Sequence, residues 1–209
     1  IIFTNLSNVF IQNGFNTALI QKKDTTNEDY SSVFWLTLII SLFLYCILFL
    51  ISPIIASFYN MSEIIFPFRI LSLLIIPGAL NSIQIAVVSK KMNFKKIFQS
   101  NLFSIIISGI ISIVLAYLNM GIWALVFQSL LNVMISTIIM WFTVQWRPLF
   151  IFELNRVKTL FSFGWKLLVS SLMETIYQDL SGLVIGKKYQ SSTLGFYNRG
   201  KQFPQFITN

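Results

Sequence analysis

The stretch VFWLTLIISLFLYCILFLI, residues 33–51, decides the fold. It holds no Asp, Glu, Lys or Arg, and the chain stays apolar as far as Phe58. A helix needs roughly 20 mainly apolar residues to cross a bilayer. A strand of a membrane barrel would be about 10 residues of alternating polarity, and no alternation is present here. Backbone groups in lipid must be satisfied internally, and a helix does this alone. The stretch reads as a membrane-spanning α-helix.

Similar runs lie on its C-terminal side. Ile64–Val88 contains one charge, Arg69, while Ile97–Leu118 and Met120–Phe142 contain none. Leu160–Ile185 carries Lys166, Glu174 and Asp179. These make five expected full spans. Ile1–Ile20 is a sixth candidate, shorter and more polar, and a further span is expected to open at Phe203. The first residue is Ile1, not Met, and the sequence stops in mid-pattern, so an internal fragment is expected. Of the 209 residues, 56% are hydrophobic and 11% charged, a membrane-protein composition. The expected class is all-α, a polytopic membrane helix bundle.

Several chemistries are excluded at this point. The chain has no histidine, which removes HExxH zinc sites and Ser-His-Asp triads. Its single cysteine, Cys46, sits in an apolar run, so it forms neither an internal disulfide nor a cysteine metal cluster. Neither GxxxxGK[ST] nor GxGxxG occurs, so no nucleotide motif is present. No metal or cofactor is expected, and the chain does not read as an enzyme. The formal charge of +8 does not point to nucleic acid, because the cations cluster at the ends of apolar runs.

That clustering sets the topology. Lys22 and Lys23 precede the first full span; none lies in FYNMSE; SKKMNFKK holds Lys90, Lys91, Lys95 and Lys96; none lies at Asn119–Gly121; Arg147, Arg156 and Lys158 follow Met120–Phe142. Cytoplasmic loops carry the excess of Lys and Arg, so the three basic connections are expected inside. Residues 143–159, with Trp146, Arg147 and Pro148, read as a cytoplasmic linker. It separates the end of one bundle (residues 1–142) from the start of a second (residues 160–209). The next loop should lie outside, yet it holds Lys187, Lys188, Arg199 and Lys201 among aromatics. It is expected at the membrane surface, its cations meeting lipid phosphates or a departing anionic substrate.

Polar residues within the spans mark candidate linings. Asn5, Asn8, Gln12 and Asn16 recur on one helical face, as do Asn101, Ser104, Ser108 and Ser112, then Gln128, Asn132 and Ser136. Lys166, Ser170, Glu174 and Gln178 line one side of the last span. Such stripes either face a wet cavity or serve as plain packing contacts. A charge at mid-membrane costs roughly 2.5–3.5 kcal/mol on insertion scales, so charged residues there are functional candidates. Glu174 and Asp179 are candidates for ion coupling; five residues apart, they sit about 140° from each other around a helix. Candidate substrate contacts are Arg69, Lys166, Gln128, Asn132, Gln12 and Asn16. For Arg69 the competing reading is an interfacial anchor paired with Glu63 or a lipid phosphate; for Lys166, a snorkelling side chain; for Glu174, an interhelical bond. Pro77-Gly78 inside the second full span predicts a kink.

Three phrases then resemble one family: ALIQKKDTTNEDYSSVFW (Ala18–Trp35), FSFGWKLLVSSL (Phe161–Leu172) and LVIGKKYQSSTLGFYNRGKQFP (Leu183–Pro204). They resemble the Wzx-like polysaccharide exporters of the multidrug/oligosaccharidyl-lipid/polysaccharide superfamily, closest to the colanic-acid and teichuronic-acid exporters. The resemblance spans nearly the whole chain. It implies a MATE-like fold of two six-helix bundles around a central cavity, in the bacterial inner membrane. It implies flipping of undecaprenyl-pyrophosphate-linked repeat units, without catalysis. Partners would be that lipid-linked oligosaccharide, membrane lipids and a coupling cation, H+ or Na+. The alternatives are a drug/cation antiporter of the same superfamily, a membrane polysaccharide polymerase or ligase, and a passive scaffold. The resemblance assigns no single residue a role.

Overall fold

The computed structural model describes residues 9, 15–188, 195–197 and 200. Among them there is no strand. The helices are α1 (Phe15–Gln21), α2 (Asn27–Tyr59), α3 (Ile65–Ser72), α4 (Ile75–Lys90), α5 (Phe94–Tyr117), α6 (Ile122–Thr143) and α7 (Leu154–Lys188). Gln12, Asn5 and Asn8 lie outside the described residues, as do Arg199, Lys201 and the segment from Phe203.

The distribution of side chains is inverted relative to a water-soluble bundle. Ser31, Ser32, Ser41 and Ser52 of α2 are fully buried, while Phe43 and Leu50 are 66% and 72% exposed. On α5 the buried residues are Ser100, Ser104, Ser108 and Ser112 alone. Small hydroxyl residues let helices approach closely and satisfy their own polar groups, while lipid accepts the large apolar chains. Ser100, Ser104 and Ser108 each donate to a carbonyl three residues back. Ser112 donates across the hairpin to the Ala124 carbonyl at 3.3 Å. The stripe expected from Asn101 to Ser112 is therefore a packing seam, and its first buried member is Ser100; Asn101 is exposed at the edge of the seam.

Among the described residues four helical segments are long and apolar enough to cross a membrane: α2, the α3–α4 pair (Ser62–Lys90), α5 and α6. The fifth expected span, Leu160–Ile185, is helical within the 35-residue α7. Its lysine, acid and amides leave it outside the four that qualify by composition.

At the expected kink the α-helix gives way to a tighter turn, with Leu73 and Leu74 still at right-handed helical angles. α3 ends at Ser72 and α4 begins at Ile75, two residues before Pro77. Proline has no N–H for the carbonyl four residues back and its ring crowds that carbonyl; here that residue is Leu73. The Leu73 carbonyl accepts instead from the Ile76 N–H at 3.2 Å, in a tighter turn. The Pro77 carbonyl accepts from the Thr137 hydroxyl of α6 at 3.1 Å, which fixes the turn against its neighbour.

The turns at both ends follow one pattern. Asn60, Met92 and Asn119 each have positive φ just past a helix. The following N–H reaches back to a free carbonyl: Met61 to Ala56, Asn93 to Val88, Met120 to Leu115. These are left-handed C-terminal caps. The three basic connections meet at one end of the bundle, since Lys90 bonds to the α1–α2 loop and Lys96 to the end of α6. The α6–α7 connection is shorter than expected, residues 144–153, because α6 continues through Thr143 and α7 opens at Leu154.

Candidate functional site

The charged end of the bundle is organised by the start of α2. Thr26 caps it and forms a capping box with Asp29: the Thr26 N–H donates to Asp29 Oδ2 at 3.0 Å and the Asp29 N–H returns to Thr26 Oγ1 at 3.4 Å. An acid in the first turn also suits the positive end of a helix. Asp29 is fully buried, and cations from two other elements close on it. Lys22 stands 2.6 Å from Oδ2 and Arg156, at the start of α7, 3.4 Å from Oδ1. Arg156 also pairs with Glu28, and with Glu153 at 2.7 Å. Glu153 first, then Asp29 and Glu28, push the Arg156 pKa further up. Lys90 completes the cluster with bonds to Thr25 and the Lys22 carbonyl.

The connection 144–153 is strapped over the same end. The Leu149 N–H donates to Ser31 Oγ at 3.0 Å and the Glu153 N–H to Ser32 Oγ at 3.1 Å. Trp35 Nε1 donates to the Leu149 carbonyl at 2.8 Å, and its ring stacks on Phe150. Arg147 donates to the Trp141 and Val144 carbonyls, closing the end of α6. The strap thus ties α7 to α2 by hydroxyls and backbone, beside the ion pairs.

The sequence-derived candidates fall into separate places. Arg69 is half-buried; its Nε donates to Ser52 Oγ at 2.8 Å and its guanidinium lies 4.2 Å from the centre of the Phe49 ring. Ser52 in turn donates to the Phe49 carbonyl at 2.8 Å, the carbonyl that Pro53 cannot serve. Arg69 thus braces a proline site in α2, and among the described residues no ion pair joins it to Glu63. Asn16 is buried, with its Nδ2 on the Ser82 carbonyl at 3.1 Å. Gln128 and Asn132 are half-buried on α6 and make no side-chain hydrogen bond among the described residues. One turn on, Ser136 meets Asn81 of α4 at 3.4 Å and Asn101 of α5 at 3.5 Å. Lys166 and Glu174 are exposed on α7, and Glu174 accepts from Gln178 at 3.1 Å. Asp179 belongs to α7, but its side chain lies outside the described residues.

Residue patterns alone did not single out Asn81, Gln84, Asp29 or Arg156. Asn81 and Gln84 are buried on α4, and their side-chain oxygens, like that of Asn16, have no hydrogen-bond partner among the described residues. A hydrophobic run hides such amides, whereas TNED at residues 26–29 is a recognisable cap signature.

The pattern of the polysaccharide biosynthesis protein family matches residues 1–209, the entire chain. The chain belongs to that family. With four helices able to span a bilayer, this family member is a multi-pass inner-membrane protein. It is similar to the teichuronic acid biosynthesis protein TuaB of Bacillus subtilis, 28% identical over 95% of this chain and 42% of the relative. It is similar to the succinoglycan biosynthesis transport protein ExoT of Rhizobium meliloti, 27% identical over 91% of this chain and 38% of that protein. An uncharacterized membrane protein in the cps region of Klebsiella pneumoniae is 21% identical over 88% of the chain and 39% of its own length. The chain therefore spans about two-fifths of the relatives it matches. No solved structure matches it.

Proposed function

We propose that this chain is part of a flippase that moves undecaprenyl-pyrophosphate-linked oligosaccharide repeat units to the outer leaflet of the bacterial inner membrane. Its branch is that of the colanic- and teichuronic-acid exporters. The observation that carries this reading is the match, along 91% of the chain, to a protein named for succinoglycan transport. The burial pattern agrees with it: many large apolar chains face outward, while the amides of Asn16, Asn81 and Gln84 are buried. On this reading residues 1–142 close one bundle and residues 160–209 open the next, with α7 contributing its polar face to the shared passage. Gln128, Asn132 and the unpartnered oxygens of Asn16 and Asn81 suit sugar hydroxyls, which donate hydrogen bonds as well as accept them. Lys166 suits pyrophosphate, Glu174 and Asp179 suit a proton or sodium ion, and Arg69 acts from its brace on α2.

Complementation tests the reading. Cells lacking the gene should lose surface polysaccharide and keep their drug tolerance; unchanged polysaccharide with raised drug sensitivity would support an antiporter instead. Glu174→Gln in the full-length protein should cut export at least tenfold with the protein still in the membrane. Full export by that variant would remove Glu174 from the mechanism.

A further inference from the structure

A small cavity lies at the basic end, between the α4–α5 turn and the strap, with a volume of about 80 Å³. Its polar lining comes from Lys91, Asn93, Lys96, Gln145 and Trp146. The lining residues thus include two lysines and two amide-bearing residues, and no acidic residue is among them. The Trp146 ring packs against Tyr30 and Phe34, and among the described residues its buried Nε1–H has no partner. α5 starts at the rim, and its first turn holds no acid and receives no side-chain cap from Asn93. Unsatisfied N–H groups at such a start favour an anion.

The lysines of this turn divide the work. Lys90 is spent on Thr25 and the Lys22 carbonyl, and Lys96 holds the Thr143 carbonyl at 2.9 Å while lining the cavity. Lys91 is exposed and makes no side-chain bond among the described residues. Around the mouth Met92, Phe94 and Phe98 are 80%, 58% and 65% exposed, which sets the turn at the membrane interface, where aromatic and apolar chains meet headgroups.

We infer that this cavity is a phosphate-group site at the cytoplasmic face, filled either by an anionic phospholipid headgroup or by free phosphate. Its volume of about 80 Å³ admits a small tetrahedral anion. Basic pockets at this depth bind anionic headgroups, and two ammonium groups supply the charge-assisted bonds. The site stands apart from the proposed transport passage and does not depend on it.

The full-length protein in detergent, at fixed ionic strength, provides the test. Its apparent melting temperature is followed against inorganic phosphate in one arm and against short-chain phosphatidylglycerol in the other, with short-chain phosphatidylcholine as the zwitterionic comparison. The expected result is a saturable rise in at least one of the first two arms; the arm that responds names the source. Lys91→Gln should raise the half-saturating concentration at least fivefold, and Lys95→Gln, outside the cavity, should leave it unchanged. Lys96→Gln should act like Lys91→Gln, its folding judged from the ligand-free melting temperature. No saturable rise in either arm, an equal rise with phosphatidylcholine, or equal loss in Lys95→Gln would overturn the inference.

Discussion

Two polar side chains in this protein are held by what the backbone lacks. Pro53 leaves the Phe49 carbonyl without its N–H, and Ser52, backed by Arg69, donates to it instead. Ser52→Ala should therefore cost about 1 kcal/mol, the net worth of a typical hydrogen bond. In a Pro53→Ala background, where residue 53 regains its N–H, the same change should cost less, because only the bond from Arg69 is then lost. Denaturation of the four proteins in a double-mutant cycle checks this, and equal costs in both backgrounds would refute the account. Asp29 is a second such case. It is fully buried against Lys22 and Arg156, and removing one partner of a buried pair leaves uncompensated charge, about 3–5 kcal/mol at full burial. Arg156 retains 29% exposure, so water offsets part of that loss. Asp29→Ala should lower stability by about 2–3 kcal/mol, and Asp29→Asn, which keeps an oxygen for the Thr26 N–H, by less. An unfolding curve superimposable on that of the parent would show the cluster to be energetically idle.

Helix ends show which parts of the fold a sequence can announce. Four of the five expected spans, the tight α5–α6 hairpin and a kink near Pro77 were readable, since each is written in one continuous run of residues. The strap was not: its bonds join Ser31 to Leu149 and Ser32 to Glu153, more than a hundred residues apart, and no local period encodes such a pairing. Of the stripe read on α5, Ser104, Ser108 and Ser112 line the seam, and only its first member differs, Ser100 in place of Asn101. Asn101 and Ser100 fit a polar stripe equally well in sequence, and only the packed structure shows that Ser100 is buried and Asn101 exposed. The glycines allow a direct check of backbone against packing. Gly121 caps α6 with φ 54° and ψ −123°, a region costly for any side chain, while Gly109 lies within the α5 helix. A Cβ at either site would meet nothing within 4 Å. Gly121→Ala should then destabilise by about 1–3 kcal/mol and Gly109→Ala should stabilise by roughly 0.5–1 kcal/mol. Opposite shifts in melting temperature are expected; shifts of the same sign would mean that space, not backbone conformation, governs these positions.

The assembled bundle makes a stronger statement than any of its helices. Charge and geometry agree on sidedness: the connections rich in lysine and arginine converge on one end through Lys90, Lys96 and Arg156. Those at Asn60–Met61 and Asn119–Met120 close the other with left-handed caps and no cation. Translocation of a loop is opposed by its Lys and Arg content, so the basic end should face the cytoplasm. Engineered cysteines can read this directly once Cys46, exposed on α2, is replaced by serine. Met61 and Met120 mark one end, Lys95 and Phe150 the other, and all four are exposed. In intact cells a membrane-impermeant maleimide should label Met61→Cys and Met120→Cys; Lys95→Cys and Phe150→Cys should react only after permeabilisation. Labelling of all four from one side would mean that the helices lie along the membrane and do not cross it. The inverted burial of serine and phenylalanine would then need another cause. Labelling with the two pairs exchanged would keep the spans and reverse the bundle, placing the Asp29 cluster outside and leaving the proposed phosphate site facing the wrong leaflet.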